Sequence, residues 1–123
     1  MTILFVYGSL RQNHHNHYYL EGAKYLQTTQ LNCFQLYRLC NSYPTAVKTG
    51  NQQDKIVVEV YQITDTILNH IDCLEGHPNS KLFHRRMVAS DKFEGWMYYC
   101  QDSEVTGIIN IVPRINCGDW TTK

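Results

Sequence analysis

KIVVEVYQITDTILNHIDCLEG, residues 55–76, changes its apolar period half-way along. From Lys55 to Ile63, Ile56, Val58 and Val60 alternate with Val57, Glu59 and Tyr61, the two-residue repeat of a strand with both faces in use. After Thr64 the spacing lengthens. Ile67, Leu68, Ile71 and Leu74 recur at the interval that lines one side of an α-helix of about three turns. Thr64-Asp65 offers an N-cap oxygen, and Gly76 provides the left-handed residue on which such a helix stops. A strand running directly into a capped amphipathic helix predicts an α+β fold.

The flanking segments extend the same pattern. TILFVY (2–7) is apolar at nearly every position, as expected of a central strand covered on both sides. In the polar stretch that follows, Tyr18, Tyr19, Leu20 and Tyr25 predict one side of a short, imperfect helix. Gln30 to Leu39 alternates as a strand, with Leu31, Cys33, Gln35 and Tyr37 opposed to Phe34, Leu36 and Arg38. Asn41-Ser42-Tyr43-Pro44 ends it with turn chemistry, Thr45 to Val47 resumes an extended path, and Lys48 to Lys55 is a polar loop. Phe83–Ser90 and Gly95–Gln101 flank a polar Asp91–Glu94 turn, which predicts a hairpin. Thr106–Val112, ended by Pro113, predicts a last strand. Strands outnumber helices and most connections are too short for parallel crossovers. The expected architecture is therefore a small, mostly antiparallel mixed β-barrel with two helices packed on it, in one domain over residues 1–123.

Bulk properties narrow the function. A chain of 123 residues with 43% hydrophobic content fits one core and leaves no room for a separate cofactor domain. Eleven basic residues balance eleven acidic ones, so no net field favours nucleic acid or an anionic membrane. No run reaches the roughly 20 apolar residues of a membrane helix, and MTILFVYGS has none of the marks of a secretory leader. Cys33, Cys40, Cys73, Cys100 and Cys117 are odd in number and include no CxxC pair, which argues for reduced cysteines and a cytoplasmic setting. The small core is compatible with a monomer.

Four features bear on chemistry. FVYGSLR (5–11) breaks an apolar strand at Gly8-Ser9, which serves a turn, a serine nucleophile or a cradle of backbone N–H groups for an anion. A nucleophile elbow wants glycines on both sides of the serine, and only Gly8 is present. Glu75 puts a carboxylate in the last turn of an apolar helix, where exposed carbonyls disfavour negative charge. Partial burial by Leu74 and Phe83 would raise its pKa towards neutrality and suit it to proton transfer, whereas an exposed position would leave it an ordinary surface glutamate. Glu59, within an apolar strand, either faces solvent on an edge or is buried and paired, with Arg85 and Arg86 as candidate partners. His14, His15 and His17 crowd one segment, but a further metal ligand at fixed spacing is missing and a solvated loop accounts for them.

Together these segments resemble the gamma-glutamylcyclotransferase superfamily, in particular its short members related to gamma-glutamylamine cyclotransferase. FVYGSLR is similar to the family's opening strand and YGSL-type loop, NHYYL to a helix start, SYPTAV to a tyrosine-proline segment and VVEVYQIT to a GEVY strand. IDCLEGHPNSKLFHRR resembles the LDxxEG signature followed by an aromatic residue and an arginine, and GDW recurs near the end. Val58 stands where the family usually has the glycine of GEVY, and Phe83 where it often has a tyrosine. The resemblance implies a small mixed barrel that releases a small-molecule gamma-glutamyl group as 5-oxoproline, without cofactor or metal. It implies Glu75 as general acid/base, Tyr7, Gly8, Ser9 and Leu10 as the loop holding the glutamyl head group, and Tyr43 and Arg85 as further substrate-binding positions. A binding module that keeps the head-group loop without turnover is the alternative.

Overall fold

Strand β1 (Thr2–Val6) is apolar from Ile3 onward because it lies in the middle of a sheet packed on both faces. The computed structural model describes residues 2–14, 16–40, 43–76, 83–100 and 105–120. Along the chain, β1 is followed by a short 3-10 helix (His17–Leu20), β2 (Lys24–Asn32), β3 (Phe34–Cys40), β4 (Tyr43–Lys48) and β5 (Lys55–Ile63). Helix α1 (Asp65–Glu75), β6 (Phe83–Ala89), β7 (Glu94–Cys100), α2 (Val105–Ile111) and β8 (Arg114–Ile115) complete it. Strands β2-β5-β1-β7-β6 form a five-stranded sheet, antiparallel except for the parallel pairing of β1 with β7, and β4-β3-β8 form a second, antiparallel sheet.

The two sheets face one another across the main core. Ile3 and Phe5 of β1, Ile56, Val58 and Val60 of β5, and Met97 and Tyr99 of β7 meet Phe34 and Leu36 of β3, Ala46 of β4 and Trp120. The opposite side of the large sheet carries α1, whose Ile67, Leu68 and Ile71 cover Leu4, Val6, Tyr61, Ile63 and Tyr98. Each such aliphatic side chain contributes about 1.5–3 kcal/mol on burial, so the alternation in β1 and β5 supplies both cores at once. The ends of α1 follow the sequence reading. Thr64 Oγ1 accepts the Ile67 amide at 3.2 Å, and Gly76 takes φ 74° while its N–H reaches the Asp72 and Cys73 carbonyls.

Four expectations are corrected. Residues 105–111 form α2 rather than a strand: the β-branched composition favours a strand locally, but Val105, Ile108, Ile109 and Val112 keep a helical interval, and Val112 packs beside Tyr37 and Val47. The predicted Gln30–Leu39 strand is two strands, because Cys33 takes φ 76° and turns the chain from the large sheet into the small one. The helix expected through Tyr25 is one 3-10 turn ending at Leu20, and Lys24 already starts β2. The described strands pair as two sheets, not as one ladder closed on itself, so the architecture is a small mixed α+β fold with two α-helices. Among the described residues no helix is long and apolar enough to cross a membrane.

Candidate active site

Helix α1 runs along the large sheet and ends near the C-terminal ends of β1 and β7, which run parallel. That geometry delivers Glu75 to the point where Tyr7 leaves β1. Glu75 is half-buried, and withdrawal from water pushes its pKa from the ordinary 4.5 up to about 7. Among the described residues it forms no salt bridge. Its charge is felt by two buried phenols, Tyr7 and Tyr98, each of which it pushes upward. Burial is the larger cause for both. Tyr7 Oη donates to the Tyr98 carbonyl at 2.8 Å, which ties the end of β1 to β7.

The Gly8–Arg11 turn beyond Tyr7 is held chiefly through its carbonyls. The Gly8 oxygen accepts the Arg11 amide at 3.0 Å, the Ser9 oxygen accepts the Asn16 amide at 2.9 Å, and the Leu10 oxygen meets His17 Nδ1 at 2.9 Å. Ser9 Oγ accepts from Asn16 Nδ2 at 3.0 Å, and Leu10 is buried under α1. Among the described residues the N–H groups of Gly8, Ser9 and Leu10 enter no backbone hydrogen bond. Gly8 lies so near Pro44 that a Cβ would stand 2.7 Å from its Cδ. Pro44 belongs to β4 beside Tyr43, whose side chain lies outside the described residues, as does the 77–82 segment.

Arg85 is engaged by the last turn of α1. Its Nε donates to Asp72 Oδ1 at 2.8 Å, and its guanidinium lies 4.4 Å from the centre of the Trp96 ring. Tyr98 Oη donates to the same Asp72 oxygen. Glu59 is buried and paired, with Arg11 rather than Arg85 or Arg86: its carboxylate accepts Arg11 Nε at 3.0 Å, the Gln12 amide at 2.9 Å and Tyr61 Oη at 2.8 Å. Arg11 also bonds the Asp119 carboxylate and the Trp120 carbonyl. Asp72, Tyr98, Arg11 and Asp119 were not singled out by sequence reasoning. Of these, Asp72 stands three residues before Glu75 on one helix face, which is a local signal.

The histidine segment supports the turn. His17 holds Leu10 and stacks obliquely on Tyr61, with ring centres 5.9 Å apart, while His15 lies outside the described residues. Among the described residues no group of three or more His, Cys, Asp or Glu side chains is arranged to hold a metal.

The family model described as gamma-glutamyl cyclotransferase, AIG2-like, matches residues 4–122. The chain belongs to this family. It is 32% identical over 120 residues to the gamma-glutamylcyclotransferase family protein YtfP of Escherichia coli K12, an alignment spanning 98% of this chain and 96% of that one. The solution structure of Escherichia coli ytfP superposes with a TM-score of 0.71 at 29% identity, covering 97% and 96% of the two chains. An AIG2-like mouse protein superposes with a TM-score of 0.78 over 98% of this chain and 88% of that one; at 15% identity this likeness is one of fold. Family membership carries a cyclotransferase-like assignment, and the Tyr7–Leu10 turn and Glu75 both lie inside the matched span.

Proposed function

We propose that the protein is a cofactor-independent cyclotransferase that releases 5-oxoproline from a gamma-glutamyl amine or gamma-glutamyl peptide, with Glu75 as general acid/base. One observation carries the reading: a half-buried carboxylate with a pKa of about 7 acts on the same buried phenol, Tyr7, that opens the Gly8-Ser9-Leu10 turn. In this reading the N–H groups of that turn receive the glutamyl α-carboxylate, and Tyr43 helps to enclose the substrate. Glu75 takes a proton from the α-ammonium. The freed amine attacks its own γ-carbonyl, Glu75 returns the proton to the departing amine as the carbon–nitrogen bond breaks, and the second proton of the attacking nitrogen passes to that amine, leaving the neutral lactam and an ammonium. Nucleophile and electrophile belong to one molecule, so the protein has chiefly to curl the substrate and move protons from one of its nitrogens to the other.

The test is to incubate the purified protein with a panel of gamma-glutamyl amines and peptides and to measure 5-oxoproline. Turnover is expected for at least one member, and Glu75→Gln is expected to lower it by about 10²–10⁴-fold. Product formation unchanged in Glu75→Gln would overturn the mechanism. Saturable binding of these compounds with no product from the parent would favour the non-catalytic module.

A further inference from the structure

Asp72 precedes Glu75 by three residues, so the two carboxylates share one side of the last turn of α1, with Cβ atoms roughly 5–6 Å apart in such a pair. Both act on Tyr98: Asp72 accepts its hydroxyl, and the Glu75 charge reaches the same phenol. Arg85, on the neighbouring strand β6, brings a cation into this group and donates Nε to the Asp72 oxygen that Tyr98 also uses. Trp96 backs the guanidinium with its ring face, which fixes the side chain on that side of the sheet. Arg86, the next residue, turns to the other face and lies over Tyr99. The Glu75 charge thus reaches Tyr7 at the end of β1 and Tyr98 on β7, and the Tyr98 hydroxyl is shared with Asp72 on the same helix, which holds Arg85 of β6.

A carboxylate meant to exchange protons near neutral pH is spoiled by a permanent cation, because an ion pair with arginine favours the charged form and lowers the pKa by about 1–3 units. Here such a cation is bound to a carboxylate one helical turn before Glu75. We propose that Asp72 is a positioning residue: by holding Arg85 together with the Tyr98 hydroxyl on one oxygen, it keeps the guanidinium from pairing with Glu75 and leaves that carboxylate for substrate. Trp96 contributes by fixing the direction of the guanidinium. In this arrangement Arg85 acts through Asp72 and not on the glutamyl group. The importance of the arrangement for turnover rests on the cyclotransferase reading, but its effect on Glu75 does not.

The experiment therefore reads Glu75 directly. In protein carrying ¹³C-labelled glutamate, the Glu75 carboxyl resonance, assigned by its loss in Glu75→Gln, is titrated in the parent, Asp72→Asn, Arg85→Gln and the double variant. Asparagine keeps the shape of Asp72 and an oxygen for Tyr98, but releases the cation. Asp72→Asn is expected to lower the proton affinity of Glu75 at least about tenfold. Adding Arg85→Gln is expected to restore most of that loss, and Arg85→Gln alone to leave the affinity equal to the parent's or higher. An Asp72→Asn midpoint within threefold of the parent's, a double variant that titrates like Asp72→Asn, or a fall in Arg85→Gln alone would overturn the proposal. Arg85→Gln leaves α1 untouched, so its titration still tests the proposal if Asp72→Asn fails to fold. None of these readings needs a substrate, so absence of turnover would strike the cyclotransferase assignment and not this one.

Discussion

Glu75 stands where a helix disfavours negative charge and where water is partly withdrawn, and both influences act in the direction of holding its proton. The consequence for stability has a definite sign. The unfolded chain releases this proton near 4.5 and the folded chain near 7, so between those values folding takes up a proton and raising the pH weakens the fold. Below about 4.5 both states are protonated and the penalty vanishes; above about 7 it is fully present. Glu75→Gln should therefore flatten this part of the pH–stability profile and exceed the parent at pH 8 by roughly 1–3 kcal/mol, allowing for partial exposure of the carboxylate. Urea denaturation at a series of pH values checks it, and parallel profiles for the two proteins would show that Glu75 titrates alike in the folded and unfolded chain. The functional counterpart runs the opposite way, since a proton acceptor must first lose its own proton. The fold gives up stability to keep a half-buried carboxylate that the proposed reaction uses.

At the scale of elements, what could be read from the sequence is what depends on neighbouring residues. Thr64, the Ile67/Leu68/Ile71 spacing and Gly76 specify α1 within a dozen positions, and Phe83–Ala89 with Glu94–Cys100 forms the expected hairpin, closed by the Ser90 amide on the Phe93 carbonyl at 2.8 Å. Cys33 defeated local reading because a cysteine seldom takes positive φ. It is held there by tertiary bonds, donating to the Asp54 carbonyl at 2.8 Å while accepting the Thr49 amide at 2.7 Å. α2 was hidden by its β-branched residues, whose strand preference is a statement about packing more than backbone. In the candidate site Glu75 and the turn were visible one at a time, while the approach of β4 to Gly8 was not. That approach makes a prediction for the junction of the two sheets. A methyl group on Gly8 would lie 2.7 and 2.9 Å from Cδ and Cγ of buried Pro44, so Gly8→Ala must push β4 or the turn aside. A loss of about 1–3 kcal/mol is expected, with a raised KM in any gamma-glutamyl assay because the turn moves. Unchanged urea midpoint and unchanged KM together would show that the contact yields freely.

Across the whole molecule, the candidate turn is anchored by charges that sequence order keeps far apart. Arg11 reaches Glu59, 48 residues on, and Asp119, 108 residues on, joining the turn to β5 and to the segment after β8. The Arg11 and Glu59 side chains are only 13% and 7% exposed, and Arg11 has Asp119 as a second partner whereas Arg11 is the one cation on Glu59 among the described residues, so the buried carboxylate is tolerable only while Arg11 remains. An isolated glutamate in an apolar strand announces that a partner exists, but its identity is settled by the fold, which is why Arg85 and Arg86 were reasonable candidates and Arg11 is the occupant. Arg11→Met would leave the Glu59 carboxylate buried with the Gln12 amide and Tyr61 hydroxyl alone, a deficit of about 3–5 kcal/mol by the usual penalty for orphaning one member of a buried pair. Removing both charges in Arg11→Met/Glu59→Leu should recover part of that loss, because the buried carboxylate is then gone, while Asp119, which also loses Arg11, is 37% exposed and keeps its hydration. The urea midpoints of the two variants decide the matter. If the single variant loses less than about 1 kcal/mol, water reaches Glu59 and the pair is a surface one in energetic terms. If the double variant falls further than the single, the Glu59 hydrogen bonds to Gln12 and Tyr61 hold the turn in place more strongly than the ion pair does.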